Sequence, residues 1–379
     1  MSIEKTSIEK TLSRVTEKMI DSRPAPSDSI GAVAWLRANL FAGPINTLFT
    51  LFALYLVYLL VVPSLQWALI DASWSGTSRE DCTGEGACWV FISARLDQFI
   101  YGFYPSEETW RVDIVFAVFA ALIAWQAIPK LPAKGWVAIV SLAVFPFIAY
   151  FLLHGGSFGL EIVGTHEWGG LMLTLVLAVV GIVAALPLGI LLALGRRSEM
   201  PIVKSICVVF IEFWRGVPLI TVLFMASVML PLFVPGEVNL DKLVRALIGI
   251  TLFQSAYMAE VVRGGLQAIP KGQTEAGMAL GLGYWRNMGL IVLPQALKLM
   301  IPGIVNTFIA LFKDTSLVLI IGLFDLLAIV QAGLADPKWL GYSIEGYAFV
   351  ALVFWVFCFS MSRYSQYLER LLHTGHKKR

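Results

Sequence analysis

Charged residues are scarce in this chain, since only 14% of its 379 residues are Asp, Glu, Lys or Arg, whereas 58% are hydrophobic. A soluble protein of this length carries about a quarter charged residues. The shortage excludes an ordinary soluble domain and indicates a polytopic membrane protein. The formal net charge is only +2, which gives no general case for binding nucleic acid.

Motifs of nucleotide-dependent and metal-dependent enzymes are also missing. No G-x-x-x-x-G-K-[ST] phosphate-binding loop is present, so any ATP would have to be hydrolysed by another chain. His166-Glu167 lacks the second histidine of a zinc-protease motif, and the glycines at 281 and 283 do not continue into a dinucleotide fingerprint. We expect no catalytic residue, no metal site and no cofactor in this chain.

Cysteine is rare as well, with four residues in all. Cys207 and Cys358 lie in apolar runs, where a thiol is usually a small packing group. Cys82 and Cys88 share the loop TSREDCTGEGACWV, whose two glycines would let the chain turn between them. A disulfide there requires an oxidising compartment such as the bacterial periplasm, and the alternative is two free surface thiols. We favour the disulfide.

Long apolar segments dominate the rest of the chain, and a membrane span needs about 20 such residues. Eight segments qualify: 45–69, 112–128, 136–153, 171–194, 202–234, 243–262, 288–311 and 344–359. A further run, 316–330, is short and carries Asp325, so we interpret it as a re-entrant segment buried by its neighbours. The sequence predicts an all-α fold, a polytopic transmembrane helical bundle of about eight spans.

The distribution of Lys and Arg predicts the orientation of these spans. The N-terminal tail holds six Lys and Arg up to Arg37, whereas the loop 71–111 holds three. The first 30 residues lack the apolar core of a cleavable signal peptide. We therefore expect both termini in the cytoplasm, the cysteine loop outside and the loop 263–287 inside.

The stretch EAGMALGLGYWRNMGLIVLP, residues 275–294, differs from the spans around it because it is half polar and rich in glycine. Thr274 is a candidate N-cap for a helix that we expect to continue to about Met288. Gly277 and Gly281 are four residues apart, which would leave one helix face bare of side chains. Such a helix would either insert into a groove of another protein or lie among the lipid headgroups.

The same stretch carries a resemblance. Its pattern E-A-x-x-x-x-G, nine residues, then I-x-L-P resembles the cytoplasmic signature of membrane subunits of bacterial ATP-binding-cassette (ABC) importers. The matching residues are Glu275, Ala276, Gly281, Ile291, Leu293 and Pro294. Gly277 departs from the family, which usually has a second Ala there; we expect this to loosen the helix without removing its smooth face.

Flanking sequences narrow the resemblance to the polar amino-acid uptake permeases. They are the stretches 215–219, 256–260, 263–265, 267–273 and 313–317. The three extra N-terminal spans and the cysteine loop are similar to those of general L-amino acid permeases of Gram-negative bacteria. The expected domains are a cytoplasmic tail (1–43), three accessory spans with an outer loop (44–160), an importer permease core (161–366) and a basic cytoplasmic tail (367–379).

The resemblance implies a division of labour in the bacterial inner membrane. It implies a second homologous permease as a heterodimer partner, an ATPase subunit dimer that binds ATP and Mg, and a periplasmic amino-acid-binding protein. Besides these proteins we expect contact with membrane lipid and none with nucleic acid. The segment 275–288 would be the coupling helix held by the ATPase. Its coupling residues would be Glu275, Ala276, Gly277, Gly281, Leu282 and Gly283.

A substrate pathway is expected where polar groups enter the apolar spans, because such groups are costly in a membrane. A zwitterionic amino acid needs partners for both of its charges. The candidates are Gln254, Tyr257, Lys313, Asp314 and Thr315. The alternative is that Lys313 and Asp314 neutralise other buried charges and hold the bundle together.

Two other classes of function remain to be weighed against an importer permease for polar L-amino acids. An ion-coupled secondary carrier acting alone often shows inverted repeats, and the two halves of this chain have no convincing similarity. A membrane-embedded enzyme would need a nucleophile–base pair or a metal-ligand cluster, and neither is evident.

Overall fold

The computed structural model describes residues 31–128, 130–157, 159–233 and 240–372. Most of the predicted N-terminal tail and the basic end of the C-terminal tail lie outside the described residues. Within the predicted tails, the structure has a helix α1 (Ala32–Asn39) and a last helix that continues to Leu372. The chain forms two compact units, one made of residues 1–72 and 85–87 and the other of residues 73–84 and 88–379.

The first unit contains α1 and the helix α2 (Pro44–Leu65), which continues as a π-helix (Gln66–Ile70). Pro44 occupies the first turn of α2, where its missing N–H costs nothing. Apolar side chains surround α2 on all sides and none of them is buried. The 27 residues from Pro44 to Ile70 extend for about 40 Å, which is enough to cross a bilayer.

The second unit holds the remaining helices. Its α-helices are α3 (Val90–Tyr101), α4 (Thr109–Ala127), α5 (Lys134–Ile139), α6 (Phe145–His154), α7 (Gly170–Arg196), α8 (Pro201–Gly216), α9 (Leu219–Val228), α10 (Lys242–Ala268), α11 (Lys271–Ala279), α12 (Tyr284–Asn287), α13 (Leu293–Leu299), α14 (Ile301–Asp314), α15 (Leu326–Leu334) and α16 (Ser343–Leu372). Short 3₁₀ or π segments are Arg79–Asp81, Ser106–Glu108, Val140–Val144, Thr165–Glu167, Leu230–Phe233, Met288–Val292, Thr315–Ile321 and Pro337–Trp339, and a two-residue strand is Phe324–Asp325.

The bundle is helical as predicted, but the count of eight spans is not confirmed. Among the described residues, six helices are long and apolar enough to cross a membrane, and a seventh span results if α8 and α9, bent by 104°, are taken together. The segment 243–262 forms the 27-residue helix α10, which is long enough but less apolar than the six.

The predicted span 288–311 is wrong in its bounds. The helix is interrupted at Met300, and the segment that qualifies as a span is Ile301–Ile321. Pro302 explains the break, because proline has no N–H to donate and its ring disfavours helical geometry in the residue before it. The prediction from hydropathy alone treated as one span two helices that are separated at Met300.

The core of this unit forms where α7 packs along α10. Leu173, Leu177 and Ile250 are almost fully buried in it. The backbones approach closely at Gly189, where a Cβ atom would lie only 2.6 Å from the Met258 side chain. Glycine at this position therefore sets the separation of the two helices.

The run 316–330 is divided at Gly322, whose φ of 72° ends the 3₁₀ turn after α14. Helix α15 follows with nine residues, about 14 Å long, which is roughly half of the hydrocarbon core. Asp325 is fully buried and caps α15, accepting hydrogen bonds from the N–H groups of Leu327 (3.3 Å) and Ala328 (3.1 Å). The first part of the predicted re-entrant run, up to Ile321, thus belongs to the segment that qualifies as a span, and only its last part lies in the separate short helix α15.

Candidate functional site

Helix α11 begins earlier than the sequence suggested. It starts at Lys271, after Pro270, and the first turn closes through a hydrogen bond from the N–H of Gln273 to the carbonyl of Pro270 (3.0 Å). The predicted N-cap role of Thr274 is therefore wrong, because this residue lies inside the helix. Proline is well suited to the start of a helix since it has no N–H to leave unpaired.

The same helix also ends earlier than predicted, at Ala279 instead of near Met288. The N–H of Gly281 donates to Met278 O (2.9 Å) and the N–H of Leu282 donates to Gly277 O (3.1 Å). With a φ of 79° at Gly281, these two bonds form a Schellman C-cap. A separate helix, α12, begins at Tyr284, so the predicted coupling helix is a helix, a turn and a second helix.

Gly277 and Gly281 therefore do not form one bare face, and this expectation is corrected. Gly277 is buried, and a Cβ atom there would collide with the side chain of Asn287. Asn287 is itself buried and donates from Nδ2 to the carbonyl of Thr274 (2.8 Å). The glycine that departs from the family pattern makes room for this asparagine, whereas Gly281 has open space around it.

What this segment presents to its surroundings is apolar. Met278, Leu280, Tyr284 and Trp285, which we call the docking patch, are between 53% and 80% exposed. The rings of Tyr284 and Trp285 contact edge to face, with centroids 5.2 Å apart. Besides Gly277 and Gly281, the predicted coupling residues are Glu275, Ala276 and Gly283, which are exposed, and Leu282, which is half-buried. An exposed cluster of large apolar residues is typical of a protein interface or a membrane surface.

The docking patch is held firmly to the bundle. Gln295 on α13 donates to the side chain of Gln273 on α11 (3.2 Å), in addition to the bond between Asn287 and Thr274. Met288 and Val292 continue from α12 into an apolar cluster with Val262 of α10. Hydrogen bonds therefore join α11 to α12 and α13, and the residues that follow α12 pack against α10.

The predicted pathway residues are only partly brought together. Gln254 is buried and donates from Nε2 to Asp314 Oδ2 (3.2 Å), which joins α10 to α14. Tyr257 lies one turn further along α10. The Cζ atom of Arg215 lies over its ring, 5.7 Å from the ring centroid. The side chain of Lys313 is exposed.

Thr315 is fully buried, and its hydroxyl donates to the carbonyl of Phe312 (2.8 Å) at the end of α14, three residues earlier. Its side chain is thus used in local structure.

A cluster of charged groups at the ends of α7, α8 and α10 was not identified as a unit from the sequence. Glu260 accepts from Arg196 (2.8 Å) and Arg263 (2.8 Å), and Arg215 lies 3.7 Å from it. Glu212 pairs with the same Arg196 at 2.9 Å. The spacing of three between Glu260 and Arg263 is a recognisable helix pair, but nothing in the sequence indicates that Arg196 joins it.

The cysteine loop lies at the other end of the second unit. Cys82 and Cys88 are joined as a disulfide with their Cα atoms 5.6 Å apart. The N–H of buried Cys88 donates to Glu345 on α16 (3.1 Å), which fastens the loop to the bundle. Hydrogen bonds from the backbone N–H groups of Ser78 and Thr77 lower the pKa of Asp81, because they stabilise its carboxylate.

The chain is similar to a known protein family and to several proteins of known class. Residues 185–374 match the family model described as the binding-protein-dependent transport system inner membrane component. The inner membrane amino-acid ABC transporter permease protein YhdY of Escherichia coli K12 is 58% identical to this chain over 353 residues, which are 93% of this chain and 96% of that protein.

A second relative is the glutamate/glutamine/aspartate/asparagine transport system permease protein BztC of Rhodobacter capsulatus. It is 42% identical over 432 residues, covering 96% of this chain and 99% of that protein. Among solved structures, the crystal structure of an amino acid ABC transporter with histidines is 28% identical, with a TM-score of 0.47, and covers 53% of this chain and 92% of that chain.

Proposed function

Because this chain belongs to the family of binding-protein-dependent inner-membrane transport components, we propose that it carries polar L-amino acids out of the periplasm in a transporter powered by ATP. The chain is the membrane permease subunit of an ABC importer of amino acids and a multi-pass protein of the inner membrane.

The docking patch is the observation that supports coupling of transport to ATP hydrolysis. Four large apolar residues are exposed on two short helices and the turn between them, and hydrogen bonds join these helices to each other and to α13. The chain has no phosphate-binding loop of its own. We assign the patch to the groove of an ATPase subunit that binds ATP and Mg, with Glu275, Ala276, Gly277, Gly281, Leu282 and Gly283 shaping the contact.

An arrangement of two permeases around one pathway fits the exposed polar groups. Tyr257 on α10 and Lys313 on α14 are both exposed. In a membrane such groups require a polar partner or a water-filled path. A second homologous permease would cover them and complete a pathway that includes Gln254, Asp314 and Thr315, and a periplasmic binding protein would supply the amino acid.

The orientation follows from charge and from the disulfide. The docking segment carries Lys271 and Arg286, whereas the opposite end of the second unit carries the bond between Cys82 and Cys88. Basic loops are retained in the cytoplasm and disulfides persist in the periplasm. We therefore place both termini in the cytoplasm and the cysteine loop in the periplasm, as in the general L-amino acid permeases that the sequence resembles.

Reconstitution tests this function. The chain is purified with its copurifying proteins, placed in vesicles with ATP inside, and assayed for uptake of radiolabelled glutamate, glutamine, aspartate and asparagine in the presence of the binding protein. Uptake should require hydrolysable ATP and should be unaffected when ion gradients are dissipated. Uptake by this chain alone, driven by an ion gradient without ATP, would establish a secondary carrier and overturn the proposal.

A further inference from the structure

A large apolar cavity lies between α4, α6, α7 and α10, away from the charged and polar groups discussed above. We propose that it is a binding site for one acyl chain of a membrane phospholipid, with the headgroup held beside Trp168 and His154. This site is separate from the transport pathway and from the docking patch.

The cavity has a volume of about 610 Å³. Phe119 of α4, Tyr150 of α6, Val179 of α7 and Leu247 of α10 are among the residues that line it. Nearly all of its wall is hydrocarbon, and its polar residues are confined to one end. A zwitterionic amino acid would lose its hydration in such a space without gaining charged partners, so the transported substrate is excluded.

The length of the cavity matches one leaflet of a bilayer. Its wall follows α7 from Met172 to Ala184, a distance of about 18 Å at the rise of an α-helix. Half of the hydrocarbon core is about 15 Å thick. A shallower cavity of about 310 Å³ shares Val244 and Leu247 with the first and extends to Leu188 and Thr251. The resulting track is elongated, as an acyl chain requires.

The polar end has a donor that lacks an acceptor. Trp168 is 2% exposed, and its Nε1 is buried without a hydrogen-bond partner. The Nδ1 atom of His154, which also lines this end, is buried and unpaired. Indole N–H can only donate, and leaving it unpaired in an apolar site is unfavourable. Ester and phosphate oxygens of a lipid are acceptors of the kind that this end lacks.

The neighbouring carboxylate of Asp241 does not accept a hydrogen bond from Trp168. Asp241 accepts from the hydroxyl of Thr165 and from the N–H of Leu243 (2.7 Å). The ring of Tyr150 stacks on His154 with centroids 5.3 Å apart and lies 6.5 Å from Trp168. Clusters of Trp and Tyr are typical of the membrane–water interface, the depth at which a headgroup would be found.

The size of the cavity argues against a protein helix as the occupant. A helix with side chains is about 10–12 Å in diameter, so about 610 Å³ would hold only about 5–8 Å of it, or about four to five residues. A membrane span is about four to six times as long. An acyl chain is much thinner than a helix and can fill the same space over the length of a leaflet.

Photolabelling in vesicles tests the site. The full chain, with the proteins that copurify with it, is placed in vesicles of phosphatidylethanolamine and phosphatidylglycerol containing a phosphatidylglycerol with a diazirine on its acyl chain. After illumination, mass spectrometry locates the labelled residues. Labelling of the cavity wall at Phe119, Tyr150 and Val179 should exceed that of Leu191, an exposed residue further along α7, by about fivefold or more. Equal labelling of both sets would overturn the proposal.

Two variants and a control make the test independent of overall exposure. Val179→Trp fills the cavity and should lower labelling of its wall at least fivefold, whereas Leu191→Trp on the same helix should leave it unchanged. Trp168→Phe keeps the ring but removes the N–H donor, which should reduce labelling about threefold to tenfold, the range expected for one hydrogen bond.

Undiminished labelling in both Val179→Trp and Trp168→Phe would contradict the assignment, as would labelling of the wall by a copurified protein bearing a photoreactive group. If Val179→Trp does not fold, the milder Trp168→Phe and the distribution of label in the unmodified chain still decide. The assay contains no amino acid and no ATP, so its outcome does not depend on the proposed transport function.

Discussion

Asn287 packs directly on Gly277 and ties the two short helices of the docking segment together. Its amide donates to the carbonyl of Thr274, and it occupies the space that any larger residue at position 277 would need. The patch that we assign to the ATPase is therefore supported from behind by a buried glycine–asparagine contact.

Gly277→Ala should destabilise the chain by about 1–3 kcal/mol, because the added methyl group overpacks the contact with Asn287. The double variant Gly277→Ala, Asn287→Ala should lose less stability than the sum of the two single variants, with a coupling energy of about 1–2 kcal/mol. Thermal unfolding of the purified chain in detergent measures these differences.

The matched control is Gly272→Ala, which adds the same methyl group to the same helix at a position with open space around it. It should be neutral or slightly stabilising, because alanine favours the helix. Additive effects of the two changes at 277 and 287 would show that the contact does not hold the segment.

Substitutions at Gly281 should separate backbone conformation from side-chain bulk. Its φ of 79° favours glycine, tolerates asparagine and opposes alanine by about 1–2 kcal/mol. If the turn must keep its shape to couple ATP hydrolysis to uptake, Gly281→Asn should retain coupling better than the smaller Gly281→Ala. Valine at 281 should uncouple the two most strongly while leaving membrane insertion intact.

The measurement is the number of amino acids taken up per ATP hydrolysed in reconstituted vesicles. The opposite order, with alanine better than asparagine, would mean that bulk at the docking surface matters more than the turn. Normal coupling in all three variants would show that this turn has no docking role.

The hydrogen bond between Gln254 and Asp314 can distinguish a pathway role from a structural one. Asp314→Asn keeps an oxygen that can accept from Gln254 but removes the charge, whereas Gln254→Met keeps the length of the side chain but removes the donor. For a pathway residue, Asp314→Asn should lower uptake about tenfold or more with an unchanged melting temperature. If the pair only holds α10 to α14, Asp314→Asn should retain uptake and Gln254→Met should lower the melting temperature.

The disulfide should be found by mass spectrometry of the chain isolated without reductant. We expect a peptide in which Cys82 is linked to Cys88, with Cys207 and Cys358 free. Alkylation of Cys82 and Cys88 in intact cells, without prior reduction, would show free thiols and remove one support for the proposed orientation. The serine variant of either cysteine serves as the control for the linked peptide.

Several features of the fold could be predicted from the sequence because they depend on local patterns. Apolar runs located most of the helices that are long and apolar enough to cross a membrane, and the motif around Glu275 lies in the segment whose large apolar residues are exposed. The prediction of one span over 288–311 was wrong, because it rested on hydropathy and did not take into account that Pro302 breaks the helix. It also treated Gly277 and Gly281 as equivalent, although one serves packing and the other a backbone turn.

Contacts between distant residues were beyond the reach of one sequence. Gln254 and Asp314 were both identified as candidates, but no pattern shows that they meet. The same holds for Glu260 and Arg196, which are 64 residues apart and form one charge cluster only after α7 and α10 pack together. Intervals along one helix are visible in a sequence, whereas pairing between helices depends on the complete fold.

Contact between the docking patch and the ATPase can be tested with a photocrosslinking residue in place of Leu280. Leu280 is 80% exposed, and Phe103, 46% exposed at the opposite end of the second unit, is the matched control position. After illumination of intact membranes, the residue at 280 should capture the ATPase subunit and the residue at 103 should not. Capture of lipid alone at position 280 would show that the segment lies among the headgroups and does not contact the ATPase.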